Sequence, residues 1–245
     1  MISVIVCHKD KKHLEEFKIS LKETIGTEYE LIVINNIKSD YYLTGAYNEG
    51  VRRSKGNFLV FVHEDVRFET NNWGKILIKI FEKNNKTGII GVAGCNILLQ
   101  NAQWWFPGKD YMFGKVIHES NGKIWKSIFS ENKGEHEVVV LDGVFIACRK
   151  EVLDKEKIQW DEDFDNFHFY DLSFCIPFIQ KGYKNYVTYN ISIKHFGMGT
   201  ITPEWEHYRH VFVNKFLDIL PLKTSPLIEF NGKRKNWDTE IIYEP

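Results

Sequence analysis

At 245 residues the chain is long enough for one large α/β domain built around a single core. Its composition, 43% hydrophobic and 27% charged, excludes extended disorder, and 32 basic against 33 acidic residues leave a formal net charge of -1. That balance excludes the global basic field that non-specific nucleic-acid binding draws on, so no nucleic-acid partner is expected.

The N-terminal run M-I-S-V-I-V-C-H-K-D has neither a basic leader nor a small-residue cleavage site, and Ile2 to Cys7 reads as a buried strand. Lys11 to Thr24 places Leu14, Phe17 and Leu21 on one helical face and closes at Gly26. A second strand, Tyr29 to Ile34, ends at Asn35 and Asn36. A helix from Thr44 to Ser54 is stopped by Gly56, and a third strand runs from Phe58 to Val62. Strand alternating with helix in this way predicts a parallel sheet with right-handed crossovers.

The third strand ends abruptly in His63, Glu64 and Asp65. Ligands of open parallel sheets collect outside the carboxyl ends of the strands, so an acidic cluster there is placed to hold a divalent cation and a phosphate. A solvated turn that merely stops the strand is the competing account. The same ligand edge carries Cys7, His8 and Lys9 after the first strand and Asn35 and Asn36 after the second.

Asn72 is expected to cap a helix running through Glu82, and Gly88 to Cys95 to form a fourth buried strand. Residues 101–133 then bring Trp104, Trp105, Phe106, Tyr111, Phe113 and Trp125, with a hairpin signal at Asn121-Gly122. Aromatics in such an insertion either pack on the main core or stack on the apolar faces of sugar rings. Trp104 and Trp105 are the candidates for the second role.

Glu137 to Leu141 reads as one more strand, separated by Asp142-Gly143 from the apolar run Val144 to Cys148. A carboxylate-rich loop, Trp160 to Asp165, leads into a helix opened by Tyr170 and Asp171, which Pro177 should kink and Gly182 ends. Lys184 to Tyr189 is a further strand, Ile191 to Gly199 carries Lys194 and His195 out of the sheet, and a helix runs from Pro203 to Leu220. Cys7, Cys95, Cys148 and Cys175 form no C-x-x-C pair and are expected as buried free thiols. No apolar segment approaches the roughly 20 residues that cross a bilayer. A cytoplasmic location is therefore expected, with peripheral membrane contact left open by Lys233, Arg234, Lys235 and Trp237 near the end.

Taken in order, the strand ending in Asn35-Asn36, the run G-A-Y-N-E-G-V, the strand ending in H-E-D, the strand L-D-G-V-F-I-A-C-R and the helix Y-D-L-S-F-C-I-P-F-I-Q-K-G-Y resemble glycosyltransferase family 2 over most of residues 1–195. The resemblance implies the GT-A fold: a Rossmann-like, mostly parallel central sheet with helices on both faces, here with an aromatic hairpin insertion and a C-terminal helix. It implies one domain over 1–245, with a nucleotide-binding half at 1–100, an acceptor-side half at 101–200, and a helix and tail at 201–245.

Such enzymes carry D-x-D after the central strand, binding Mn2+ or Mg2+ on the donor diphosphate. Here His63 stands in the first place, Glu64 in the variable middle and Asp65 in the last, so Asp65 inherits the metal role, with His63 as a further ligand or a ribose contact. His195 matches a position where some GT-A enzymes place a histidine on the metal or diphosphate. Asp142, next to Gly143, matches an acid that contacts the donor sugar.

Asp171 matches the general base of the family's E-D motif, with Tyr170 in place of the usual Glu, which implies inversion at the anomeric carbon. A helix N-cap is the other account of Asp171. Asn35 and Asn36 stand where an acid usually reads the base, and Tyr47 before Asn48 stands where an Arg is common. An amide can still pair with uracil, so a UDP-sugar donor is expected, with a glycan or lipid-linked saccharide as acceptor. A nucleotidyltransferase lacks its glycine-rich loop here, since Cys7-His8-Lys9-Asp10 has no glycine. A sugar-binding protein that kept the fold and lost activity is the rival from another class, with His63 and Tyr170 as its evidence. The sugar, the acceptor and the oligomeric state are not readable from the sequence.

Overall fold

The computed structural model describes residues 1–120, 122–130, 132–197 and 201–224. Its first strand, β1 (Ile2–His8), is buried almost throughout, as an apolar run flanked on both sides must be. Asp10 accepts from the His13 N–H to cap α1 (Lys11–Thr24), whose Leu14, Phe17 and Leu21 face the sheet. Two crossovers follow, through β2 (Tyr29–Asn35), α2 (Leu43–Arg53) and β3 (Phe58–Val62), and β1 pairs in parallel with both β2 and β3.

After β3 the chain turns through His63, Glu64 and Asp65 into the short β4 (Val66–Phe68), then α3 (Trp73–Lys83). Asn72 does not cap α3 with its side chain. It sits at φ 59, and Gly74 N–H instead donates to the Ile25 carbonyl at 3.0 Å, so the start of α3 is set by the end of α1.

Two runs that read as single strands each divide between two sheets. Residues 88–95 become β5 (Thr87–Gly91) and β6 (Ala93–Cys95), followed by β7 (Ile97–Leu98) and the predicted hairpin, β8 (Met112–Ser120) with β9 (Lys123–Ile128). Residues 137–141 fall into β10 (Glu135–Val138) and β11 (Val140–Leu141). Both runs are apolar across the break itself, at Gly91 to Ala93 and Val138 to Val140, and only the pairing partners reveal it.

The chain then continues through β12 (Phe145–Arg149), α4 (Lys150–Glu156), α5 (Tyr170–Gln180), β13 (Lys184–Thr188), β14 (Ile193–His195), α6 (Pro203–Lys215) and β15 (Leu222–Lys223). Pro177 lies in the last turn of α5, which reaches Gln180. α6 stops at Lys215, short of Leu220, with Trp205 and Phe212 buried.

The central sheet has seven strands in the order β10-β13-β5-β12-β3-β1-β2. β2, β1, β3, β5 and β13 run one way, and β12 and β10 run against them. The second sheet is β11-β6-β8-β14-β4 with β9 on its flank, and each of the two strand breaks passes the chain from the first sheet to it. In it β14 pairs with β4 antiparallel and with β8 in parallel, which puts His195 beside Val66 and His118. Among the described residues no helix is long and apolar enough to cross a membrane. The basic and aromatic residues Lys233, Arg234, Lys235 and Trp237 lie outside the described residues. The four cysteines are free.

Behind the cleft, Trp160 is fully buried and stacks on Phe174 at 3.8 Å, against Phe61 and Tyr47. Asn48 pins this ring from α2: its Oδ1 accepts from Trp160 N–H and its Nδ2 donates to Trp160 carbonyl, both at 2.9 Å. Asn48→Ala leaves a buried donor and a buried acceptor unpaired. The variant is expected to lose roughly 1–3 kcal/mol of stability in urea denaturation, and an unchanged midpoint would mean that water replaces the amide.

Candidate active site

Four chain segments meet at the carboxyl edge of the central sheet: the end of β3, the bend between β11 and β12, the start of α5 and the end of β14. They enclose a cavity of about 610 Å3 whose polar lining includes His63, Asp65, Asp142, Asp171 and His195. The sequence named all five.

His63, Asp65 and His195 offer ligand atoms that all lie within 4.8 Å of one another. His195 Nε2 sits 3.3 Å from Asp65 Oδ1. Burial pushes Asp65 upward, but the His195 hydrogen bond and the His195 and His63 charges outweigh it and hold the carboxyl at about 2. Burial, with the His195 charge second, pushes His63 below the usual imidazole range. A neutral imidazole and an ionised carboxylate are the forms that bind metal. Two nitrogens and one carboxylate oxygen suit a borderline transition-metal ion better than a hard ion that prefers oxygen alone.

Tyr170 is where the site departs from expectation. Its hydroxyl lies 2.8 Å from His63 Nε2. This contact requires Gly143, since a Cβ there would come within 2.0 Å of the Tyr170 hydroxyl oxygen. The two departures from the family motif, His63 and Tyr170, are therefore partners.

Asp171 Oδ2 accepts from Gly143 N–H at 3.0 Å and Oδ1 from its neighbour Leu172 N–H at 2.9 Å. Burial, then the negative charge of Asp142, raises its carboxyl to about 7, despite those two donors. Asp142 itself accepts from Val144 N–H at 2.9 Å, which shapes the bend. α5 has no side-chain cap at its start, Phe169 standing there at φ 62.

A second cavity, about 140 Å3, adjoins the first between the β1 loop and α2, with Cys7, Lys9, Tyr47, His63 and Asp65 among its lining. Two buried polar atoms on its walls, the Tyr47 hydroxyl and His13 Nδ1, have no hydrogen-bond partner among the described residues. Neither was named as a site residue from the sequence, although Tyr47 stood out by replacing an arginine.

Several residues expected on the donor turn out to serve the chain itself. Glu64 accepts from Lys9 N–H and Asp10 N–H, each at 2.9 Å, and pairs with His8 Nδ1 at 2.8 Å, so Glu64 and His8 tie the β1 loop to the end of β3. Asn36, 1% exposed, clasps the Tyr41 backbone through both ends of its amide. Asn35 is exposed and accepts from Ile37 N–H at 3.2 Å. Asn48 pins Trp160 as described above. Of the tryptophan pair, only Trp105 reaches the large cavity. Trp104 is buried, edge-on to Trp105 and to Phe129, and lines with Trp105 a small third cavity of about 80 Å3 beside Asp171. Trp205 from α6 lines both the large and the third cavity.

The sequence of residues 3–216 matches the model of a glycosyltransferase-like family. No curated protein matches the chain at a significant level. A solved structure of GalNAc-T7 with UDP, GalNAc and Mn2+ superposes with a TM-score of 0.59 at 11% identity, covering 88% of this chain and 48% of that one. The chain thus spans about half the length of that protein, and a likeness at this identity establishes the shared GT-A fold. By fold and by its match over residues 3–216, the chain belongs to the glycosyltransferase-like family.

Proposed function

We propose that the chain is an inverting, metal-dependent glycosyltransferase that moves a sugar from a nucleoside-diphosphate sugar, with UDP as the best fit, to a hydroxyl of a glycan or lipid-linked saccharide. One observation carries this reading: Asp171, its carboxyl held at about 7, shares a cavity with the His63, Asp65 and His195 triad. A general base is most effective when its pKa lies near the working pH.

The smaller cavity supports a nucleoside, since the Tyr47 hydroxyl and His13 Nδ1 are polar atoms on its walls left unpaired among the described residues. His63, Asp65 and His195 would hold the cation, with Mn2+ favoured over Mg2+ by the two imidazoles. A cation bound there neutralises charge on the diphosphate leaving group. Tyr170 orients the His63 ring through their hydrogen bond. The acceptor hydroxyl attacks the anomeric carbon as the bond to the diphosphate oxygen breaks, and its proton passes to Asp171. Asp142, facing the same cavity, adds a polar contact for the transferred sugar. The rival reading, a binding protein that lost activity, rests on His63 and Tyr170 as degenerate positions, but their mutual hydrogen bond argues for a rebuilt site.

Incubation with a panel of nucleotide sugars and Mn2+, monitored for nucleoside diphosphate release, tests the reading. Release from no member of the panel, with or without saccharides present, would return the chain to a binding role. Asp65→Ala is expected to abolish Mn2+-dependent UDP binding in calorimetry while the protein stays folded. Equal affinity with and without a chelator would remove the metal from the scheme.

Asp171→Asn separates catalysis from stability. Transfer is expected to fall on the order of 10²- to 10⁴-fold. The wild-type rate should rise with pH and level off above about 7, where the carboxyl is ionised. Stability should move the other way. The folded carboxyl titrates at about 7 against its ordinary value of 3.8, so its contribution is complete below about pH 4 and is lost as pH rises to 7. The Asn variant should therefore gain on the wild type by up to about 1.4 kcal/mol per pH unit across that window. A denaturation series showing a constant gap would mean that Asp171 is not held protonated. Trp105→Ala should raise the acceptor KM and leave UDP affinity unchanged; loss of UDP binding would assign Trp105 to the donor.

A further inference from the structure

The loop between α4 and α5 carries a phenylalanine that the scheme above does not use. Phe167 is 51% exposed, and it is on the wall of the large cavity, the nucleoside cavity and the small third cavity. Its ring stands edge-on to His63 at 5.6 Å and to Tyr170 at 6.3 Å. It therefore stands where the triad side of the cleft meets the Asp171 side.

The loop is built to hold it there. Lys215 of α6 grips Asp161 and Asp163, each at 2.6 Å, and the Tyr208 hydroxyl donates to Asp165. Phe164 and Phe169 are buried against Phe212 at the two ends of the segment. Phe169 adopts φ 62, a left-handed conformation that costs a bulky residue of order 1 kcal/mol or more. With both flanking rings turned inward, Phe167 is the one left facing the cleft. Of the other exposed apolar side chains, Ile201 reaches the large cavity alone, and Ile37, Phe106 and Ile124 line none of the three.

We infer that Phe167 is a specificity-determining residue, a flat aromatic wall for the apolar face of the donor's pyranose ring between the triad and Asp171. The inference rests on the glycosyltransferase reading. A pyranose presents C–H groups on one face, and covering an exposed aromatic ring with that face removes apolar surface from water on both sides. Placement at the boundary of the nucleoside and catalytic cavities assigns the ring to the sugar linked to the diphosphate.

The experiment compares Mn2+-loaded binding of UDP and of UDP-glucose, UDP-galactose and their N-acetyl forms by calorimetry, for the wild type, Phe167→Ala, Phe167→Leu and Phe167→Trp. For the UDP-sugar that wild type binds best, affinity relative to UDP should drop about 5- to 10-fold in the Ala and Leu variants and be kept by Trp. An unchanged ratio in Phe167→Ala overturns the inference, and so does a parallel loss of UDP and UDP-sugar affinity, which would place the ring on the nucleoside. Retention by Leu would overturn the requirement for a flat ring. Failure of wild type to bind UDP at all would instead remove the glycosyltransferase reading itself. Thermal melting of each variant guards the comparison, and Phe167, being half exposed, should alter it little.

Discussion

The contact between Tyr170 and Gly143 governs the cleft. With no Cβ at residue 143, the Tyr170 hydroxyl lies against the bend between β11 and β12 and reaches His63, while the Gly143 N–H holds Asp171. One backbone position thus joins the end of β3, the bend and the start of α5. Any side chain at 143 would push Tyr170 off His63, so the candidate ligand and the candidate base are positioned by the same joint. Placing functional side chains on strand ends and a helix start, rather than on a free loop, gives them the rigidity that such chemistry needs.

Two carboxylates in one cleft are driven in opposite directions by their surroundings. Asp65 is surrounded by imidazoles and stays ionised down to about 2, whereas burial and Asp142 raise Asp171 to about 7. One carboxylate is thereby fitted to hold a cation and the other to exchange a proton near neutrality. Divergence of this kind between neighbouring titratable groups is how a site separates roles among residues of the same type.

Much of this was legible in the chain. The alternation of buried strands and amphipathic helices through residue 83 matches the structure closely, because period and burial are written locally in apolar spacing. Of the polar lining of the large cavity, His63 and Asp65 were found because ligand edges follow strand ends, and Asp142, Asp171 and His195 through the family resemblance, whereas His118 and His168 were not named. Less legible were the roles of Glu64 and Asn36 at that edge and of Asn48 in α2, each of which bonds the backbone of another segment. An amide or carboxylate next to a strand end looks the same in sequence whether it faces a ligand or a loop. Trp104 and Trp105, adjacent in sequence, part for a related reason: one is buried behind the other, and only Trp105 reaches the large cavity.

The sequence alone determined the class of fold, the order of its crossovers and the residue types collected at the ligand edge, since these depend on hydrophobic period and on chain direction. Tertiary structure alone decided that residues 88–95 and 137–141 each divide between two sheets, that the hairpin lays His118 beside His195, that Tyr170 serves His63, and that Phe167 stands between the cavities. Those outcomes depend on pairing and packing between segments far apart in the chain. Such contacts leave no local pattern, because each partner's environment is completed only when the other arrives.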